Sequence, residues 1–192
     1  MVSLSSMAVK KLIRMGNPVL RQIAHPLTIT DILSDEFKIL LADLKDTMKQ
    51  EGGIGIAAPQ IGVSQQVAII ELPATSERYP NLVGSPLFII VNPVLTTLDD
   101  QPQGFWEGCL SVPGLRGYVE RPRKIRVDYL DEQAQAQSLE VEGFLATVFQ
   151  HELDHLFGKL YIDRIKDPTQ LSFIEEFEQF ILPQTLAPHL EE

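Results

Sequence analysis

Between Gly143 and Gly158 the chain carries a stretch with helical spacing that is apolar on most sides and yet holds His151, Glu152 and His155. Leu145, Val148, Phe149, Leu153, Leu156 and Phe157 surround these polar residues, so this helix is expected to lie largely buried. Polar side chains taken out of water need partners. On a helix, positions i and i+4 stand one above the other on the same face, so both imidazoles can reach a single ion. Glu152 lies beside them, placed to take a proton from a water that such an ion has made acidic. Any fold for this chain has to be built around that helix.

Length and composition narrow the class. A chain of 192 residues, 44% of them hydrophobic, fits one well-packed domain spanning 1–192. A net charge of −10 argues against direct nucleic-acid binding or an anionic membrane surface, because phosphate-rich partners need a basic face. No apolar run approaches membrane-spanning length, and the first residues lack the apolar core of a secretion signal. Cys109 is the single cysteine, which excludes an internal disulfide and fits a reducing compartment. The expectation is a cytoplasmic protein, or an organellar one if a transit peptide has been removed.

Phe37, Leu40, Leu41, Leu44 and Met48 repeat with helical spacing over Asp35 to Gln50, and Gly52-Gly53 ends that helix. Val67 to Leu72 and Leu87 to Val91 are short β-branched runs that read as strands, with a Pro- and Gly-containing loop from Pro73 to Pro86 between them. Ile125, Val127 and Tyr129 alternate with polar residues as in a half-exposed strand, and Leu139 and Val141 continue the pattern after a polar turn. Asp167-Pro168-Thr169-Gln170 has the form of a helix start, and Leu171, Ile174, Phe177 and Ile181 then make one apolar stripe. The order predicts an α+β fold: mainly antiparallel sheet around the central metal-binding helix, with a C-terminal helix.

Two histidines do not complete a metal site. A His-x-x-Gly-x-x-His pattern fails because Tyr161 stands where its last histidine should be. A thermolysin-like metalloprotease would use a glutamate some way downstream, where Glu175 and Glu176 stand in an acidic stretch that reads equally well as solvated charge. The remaining candidate is Cys109, whose thiolate is a strong ligand for a transition metal and whose neighbour Gly108 permits close approach. A non-catalytic metal protein is disfavoured, since a structural site is usually closed by four protein ligands and no second cysteine exists.

Three segments carry a family resemblance. Gly53-Ile54-Gly55-Ile56-Ala57-Ala58-Pro59-Gln60, Glu107-Gly108-Cys109-Leu110-Ser111 and Gln150 to His155 resemble, in this order, the three motifs of the peptide deformylases. Arg14-Met15-Gly16-Asn17-Pro18 is similar to that family's N-terminal strand and turn. In the first motif, Gly53 and Gly55 leave backbone bare along an extended segment, where a peptide could pair as an added strand, and Pro59 aims Gln60.

The resemblance implies removal of the formyl group from N-formylmethionyl nascent peptides, with release of formate. It implies that Cys109, His151 and His155 hold one divalent ion, typically ferrous iron, which zinc, nickel or cobalt can replace. Glu152 is then the general base, and Gln60 and the backbone N–H of Leu110 meet the oxyanion. Ile54, Phe105, Phe144, Thr147 and Val148, with the ring of His151, are placed around the methionine, Gly55 and Gly108 elsewhere against the substrate, and Arg116 against the peptide downstream. One departure stands out. Glu175, Glu176, Glu178, Glu191 and Glu192 occupy the region where many bacterial relatives carry a basic helix, and no Lys or Arg follows Lys166. Any transient ribosome contact is therefore expected to use another surface.

Overall fold

The computed structural model describes residues 9–74 and 84–186. Before the first helix, Gly16 turns the chain at φ +103° and Asn17 caps a 3-10 turn over Pro18–Arg21 through its side chain. The strand expected ahead of that turn does not form. Residues 9–14 run without secondary structure, and the segment is held instead by Ile13 N–H on Gln60 O and Met15 N–H on Ser111 O.

A short helix, α1 (Ile29–Ile32), is capped reciprocally by Thr28 and Asp31 and leads into α2 (Asp35–Gln50), whose N-cap is Ser34. Helix α2 has the bounds read from its periodicity, and Gly52 at φ +64° follows its end. Then come β1 (Gly55–Ala57), β2 (Val67–Ile70), β3 (Phe88–Cys109), β4 (Val112–Leu130), β5 (Ala136–Glu142), α3 (Gly143–Leu156) and β6 (Leu171–Phe173). The strands pair antiparallel in the order β1-β2-β3-β4-β5, with β6 added to β4. The expected class, helix packed with mainly antiparallel sheet around the histidine-bearing helix, is what forms.

Strand β2 explains how the layers stack. Val67 and Ile69 belong to a core shared with Phe37, Leu40, Leu41 and Leu44 of α2. Ala68 and Ile70, which point to the other face, pack with Phe149, Leu153 and Leu156 of α3. A strand sandwiched by helices on both faces has no polar side, hence the unbroken run of apolar residues. Strand β3 is far longer than the segment Leu87 to Val91 that its composition marks. Its pairing with β4 is interrupted by register shifts between Val91 and Val94, Thr97 and Asp99, and Asp99 and Pro102. Bulges at these points bend the hairpin and carry Pro and Asp residues that regular pairing would not tolerate.

The C-terminal part departs most from expectation. Asp167 caps only a 3-10 turn over Pro168–Gln170, and Leu171 then enters β6. The helical segment starts at Ile174 and runs through Ile174–Glu176, a π-type stretch over Phe177–Ile181, and Leu182–Leu186. The apolar spacing was helical, but the free edge of β4 captures its first residues as a strand. Residues 75–83 of the Pro73–Pro86 loop, and Glu191 and Glu192, lie outside the described residues.

Candidate active site

Helix α3 is buried along its length because β2, β4 and β5 cover it, and Gly143 at φ +65° and Gly158 at φ +70° bracket it. Its polar residues point where hairpin β3–β4 ends. Cys109 is the last residue of β3 and pairs with Val112 across the tight turn Leu110-Ser111. This brings Cys109 Sγ to 3.4 Å from His155 Nε2, and the donor atoms of Cys109, His151 and His155 all lie within 4.8 Å of one another. Burial alone raises the Cys109 thiol, but His155 and His151 outweigh it and bring the pKa to about 5. The sulfur is thus a thiolate at neutral pH, the form that ligates metals.

Behind His151 stands Glu107, two residues before the cysteine. Its Oε2 accepts a hydrogen bond from His151 Nδ1 at 2.8 Å, which leaves Nε2 for the ion. Burial pushes the Glu107 carboxyl up, but His151 and Arg121 hold it below its ordinary value. Burial likewise works against His151 carrying a charge, yet the Cys109 thiolate and Glu107 raise its pKa well above the usual histidine range. Arg121, only 3% exposed, forks onto Glu107 at 2.7 and 3.0 Å and donates to Asp154 Oδ2 at 2.9 Å. Asp154, on α3 between the two histidines, also accepts from Arg164 at 2.6 and 3.1 Å. Tyr161, which stands where one protease pattern wants a histidine, stacks its ring on His151 at 5.9 Å and an angle of 18°.

Glu107, Arg121, Asp154 and Arg164 are residues that sequence reasoning missed as parts of the site. An acidic residue two positions ahead of a ligating cysteine, and an acidic residue flanked by two histidines on a buried helix, were the available signals.

Glu152 is buried at the cleft, and that burial raises its pKa. Its Oε2 has no hydrogen-bond partner among the described residues. A buried carboxylate oxygen left unpaired beside three ligand atoms fits a proton acceptor in waiting better than a structural group. Gln60, 1% exposed, has its amide fixed at both ends: Oε1 accepts from Ala57 N–H at 2.8 Å, and Nε2 donates toward Cys109 Sγ at 3.6 Å and Ser111 Oγ at 3.4 Å. Its donor end therefore faces the metal position.

The site opens into a cleft of about 870 Å³. Ile54, Gly55, Gln60, Gly108, Cys109, Leu110, Arg116, Phe144, Thr147, Val148, His151 and Glu152 all line it. Phe105 does not; its ring packs edge-on against Phe144 at 5.3 Å and supports that wall from behind. Thr147 accepts from Gln103 Nε2 at 3.1 Å. The glycines have a tighter purpose than bare backbone: Gly108 makes room for the Arg116 guanidinium, and Gly55 for Glu152. Glu175 and Glu176, the alternative third ligands, are exposed on the C-terminal segment, and Cys109 takes that place among the described residues.

One thiolate and two imidazoles at the end of an open cleft, with a free buried carboxylate beside them, make a metal-dependent hydrolase. The profile of the family described as polypeptide deformylase matches residues 9–171, and the chain belongs to this family. A peptide deformylase of Leptospira biflexa is 45% identical over 172 residues, covering 90% of this chain and 96% of the relative. Peptide deformylase 1 of Prochlorococcus marinus is 44% identical over 173 residues, covering 90% and 88%. Among solved structures, a class I type b peptide deformylase of Acinetobacter baumannii with Met-Ala-Ser bound superposes with a TM-score of 0.80 at 35% identity, covering 83% of this chain and 100% of that one. A deformylase of Synechococcus elongatus in complex with actinonin gives a TM-score of 0.74 at 33% identity, covering 92% and 87%. The chain is a metal-dependent peptide deformylase, a hydrolase that removes formyl groups from nascent peptides, and nothing supports the thermolysin-like alternative. No helix among the described residues is long and apolar enough to cross a membrane.

Proposed function

We propose that Cys109, His151 and His155 hold ferrous iron as the working ion, with zinc, nickel and cobalt able to take its place, and that Glu152 is the general base. The donor set supports this reading: a thiolate with two imidazoles suits all four metals. When bound, the ion supplies Lewis-acid activation of water and of the formyl carbonyl at neutral pH.

Glu152 takes the proton of the attacking water and later hands it to the nitrogen of the departing amine. Gln60 Nε2 and the backbone N–H of Leu110 donate to the oxygen of the formyl carbonyl as its charge grows. The bond between the formyl carbon and the methionine nitrogen breaks, giving formate and a free α-amino group. Strand β1 is the edge of its sheet, and Gly53 to Gly55 line the cleft, which supports a peptide lying there as an added strand. The methionine side chain enters between Ile54, Phe144, Thr147, Val148 and His151, with Phe105 behind; Gly55 and Gly108 meet the substrate through their backbone. Arg116 contacts the peptide downstream.

The unpaired, buried Glu152 oxygen beside the ligand cluster carries the reading. Anaerobic purification with metal analysis, followed by formate release from a formyl-Met tripeptide, tests it. Iron at about one per chain with turnover is expected; turnover only after zinc loading would remove the iron assignment. We place the enzyme in the cytoplasm, and any ribosome contact on a face other than the acidic C-terminal segment.

A further inference from the structure

The C-terminal segment reaches the site. Strand β6 lies along the outer edge of β4, with Ser172 opposite Arg116 and Phe173 opposite Leu115. The next residue, Ile174, lines the same cleft as Cys109 and Glu152. Trp106 lines it as well. Its ring is fixed from two sides, by Phe177 at 5.1 Å and by Tyr118 at 5.9 Å.

Phe177 is the buried anchor of this arrangement, whereas Ile174 and Trp106 are only half-buried. Adjacent residues of a strand point to opposite faces. Phe105 accordingly packs on Phe144, at the wall assigned to methionine, while Trp106 packs on Phe177 of the C-terminal segment. The cleft therefore has a second apolar wall, made by Trp106 of the hairpin and Ile174 of the C-terminal segment and not by α3. It adjoins Arg116, the residue placed against the downstream peptide. Half-buried apolar surface on rigid backing inside a substrate cleft gains by covering it with apolar surface of the substrate.

We propose that Ile174 and Trp106 form a subsite for an apolar side chain at one of the two positions that follow methionine. This rests on the deformylase site as assigned above. A peptide with apolar residues there loses less on leaving water and is bound more tightly than one with small polar residues, so the effect falls on kcat/KM.

Formate release measures it, with the metal-loaded enzyme and three substrates: formyl-Met amide, formyl-Met-Leu-Leu amide and formyl-Met-Ser-Ser amide. The wild type should prefer the leucine peptide over the serine peptide by about tenfold, the low end of what a change of this size in an apolar pocket discriminates. In Ile174→Ser that ratio should fall toward one, and more than any change with formyl-Met amide, which ends before the wall. A wild-type ratio near one, or a ratio that Ile174→Ser leaves unchanged, overturns the proposal. If the serine variant does not fold, Ile174→Phe decides, with formyl-Met-Ala-Ala amide as a further substrate: the larger ring should shift preference from leucine to alanine after methionine, and an unchanged leucine-to-alanine ratio overturns the subsite. Absence of formate from all three substrates would instead sink the deformylase site on which the proposal stands.

Discussion

The carboxylate of Glu152 lies across the α-carbon of Gly55, so closely that a methyl group there would come within 2.6 Å of both Cγ and Oε1. Glu152 is buried, so the added methyl and the carboxylate cannot both hold their places. Gly55→Ala should therefore keep its fold and its metal but displace the carboxylate. A misplacement of about 1 Å costs on the order of a hundredfold in rate, and kcat for a formyl-Met peptide should drop on that scale. A variant with wild-type kcat would show that the carboxylate's position is not what the reaction needs.

Glu152→Gln should abolish turnover by about a hundredfold or more, the usual worth of a positioned general base. Metal content should stay as in the wild type, because the amide replaces a base and not a ligand. Metal analysis beside the kinetics separates the two. Loss of the ion along with activity would make Glu152 a ligand.

Cys109→Ser should lose metal affinity and activity together, since a hydroxyl ligates poorly compared with a thiolate. In the iron form, brief peroxide should inactivate the enzyme and leave a mass increase on the peptide that contains Cys109. Full activity in Cys109→Ser would remove the cysteine from the site.

Arg121 neutralises Glu107 and Asp154 away from water, so Arg121→Met leaves buried charge uncompensated, at a cost of about 3–5 kcal/mol. For Asp154, burial raises the pKa but Arg164 and Arg121 bring it below its ordinary value; for Glu107, His151 and Arg121 outweigh burial in the same direction. Lowered folded-state values mean stability that is complete above the ordinary carboxylate range, about pH 4, and is lost as pH falls through the lowered values. The gap between wild type and Arg121→Met in urea unfolding should be widest near neutrality and shrink below about pH 4. A gap independent of pH would mean that packing, not charge, explains the cost.

Truncation after Asp167 removes the strand on β4 and the Phe177 anchor under Trp106. It should damage folding more than ribosome affinity. An acidic segment is repelled by RNA phosphates. Co-sedimentation with ribosomes over a salt series, beside circular dichroism, checks this. A truncated chain that keeps its fold but loses binding at physiological salt would reverse the assignment.

What the sequence made legible was whatever depends on local spacing. His151 and His155 share a helix face by periodicity alone, and α2 had its limits written in its apolar repeat and in Gly52-Gly53. Cys109 could be weighed only by elimination until its motif was matched, since a strand end has no periodicity that points at a helix far along the chain. Glu107 and Arg121 were invisible as a pair because their contact depends on the register of two long, bulged strands. The C-terminal segment was misread for a related reason: Leu171 fits a helical stripe, but pairing with the exposed edge of β4 was the stronger claim on its backbone.

The ion's ligands come from two places, the tip of a hairpin and a buried helix, with Cys109 and His155 standing 46 residues apart. No such cluster exists until the hairpin has docked on the helix, so metal affinity and folding are a single equilibrium seen from two sides. Loading should therefore raise the melting temperature with free-ion concentration, and chelation should lower it. Scarcity of the ion should then shorten the protein's lifetime as well as slow deformylation.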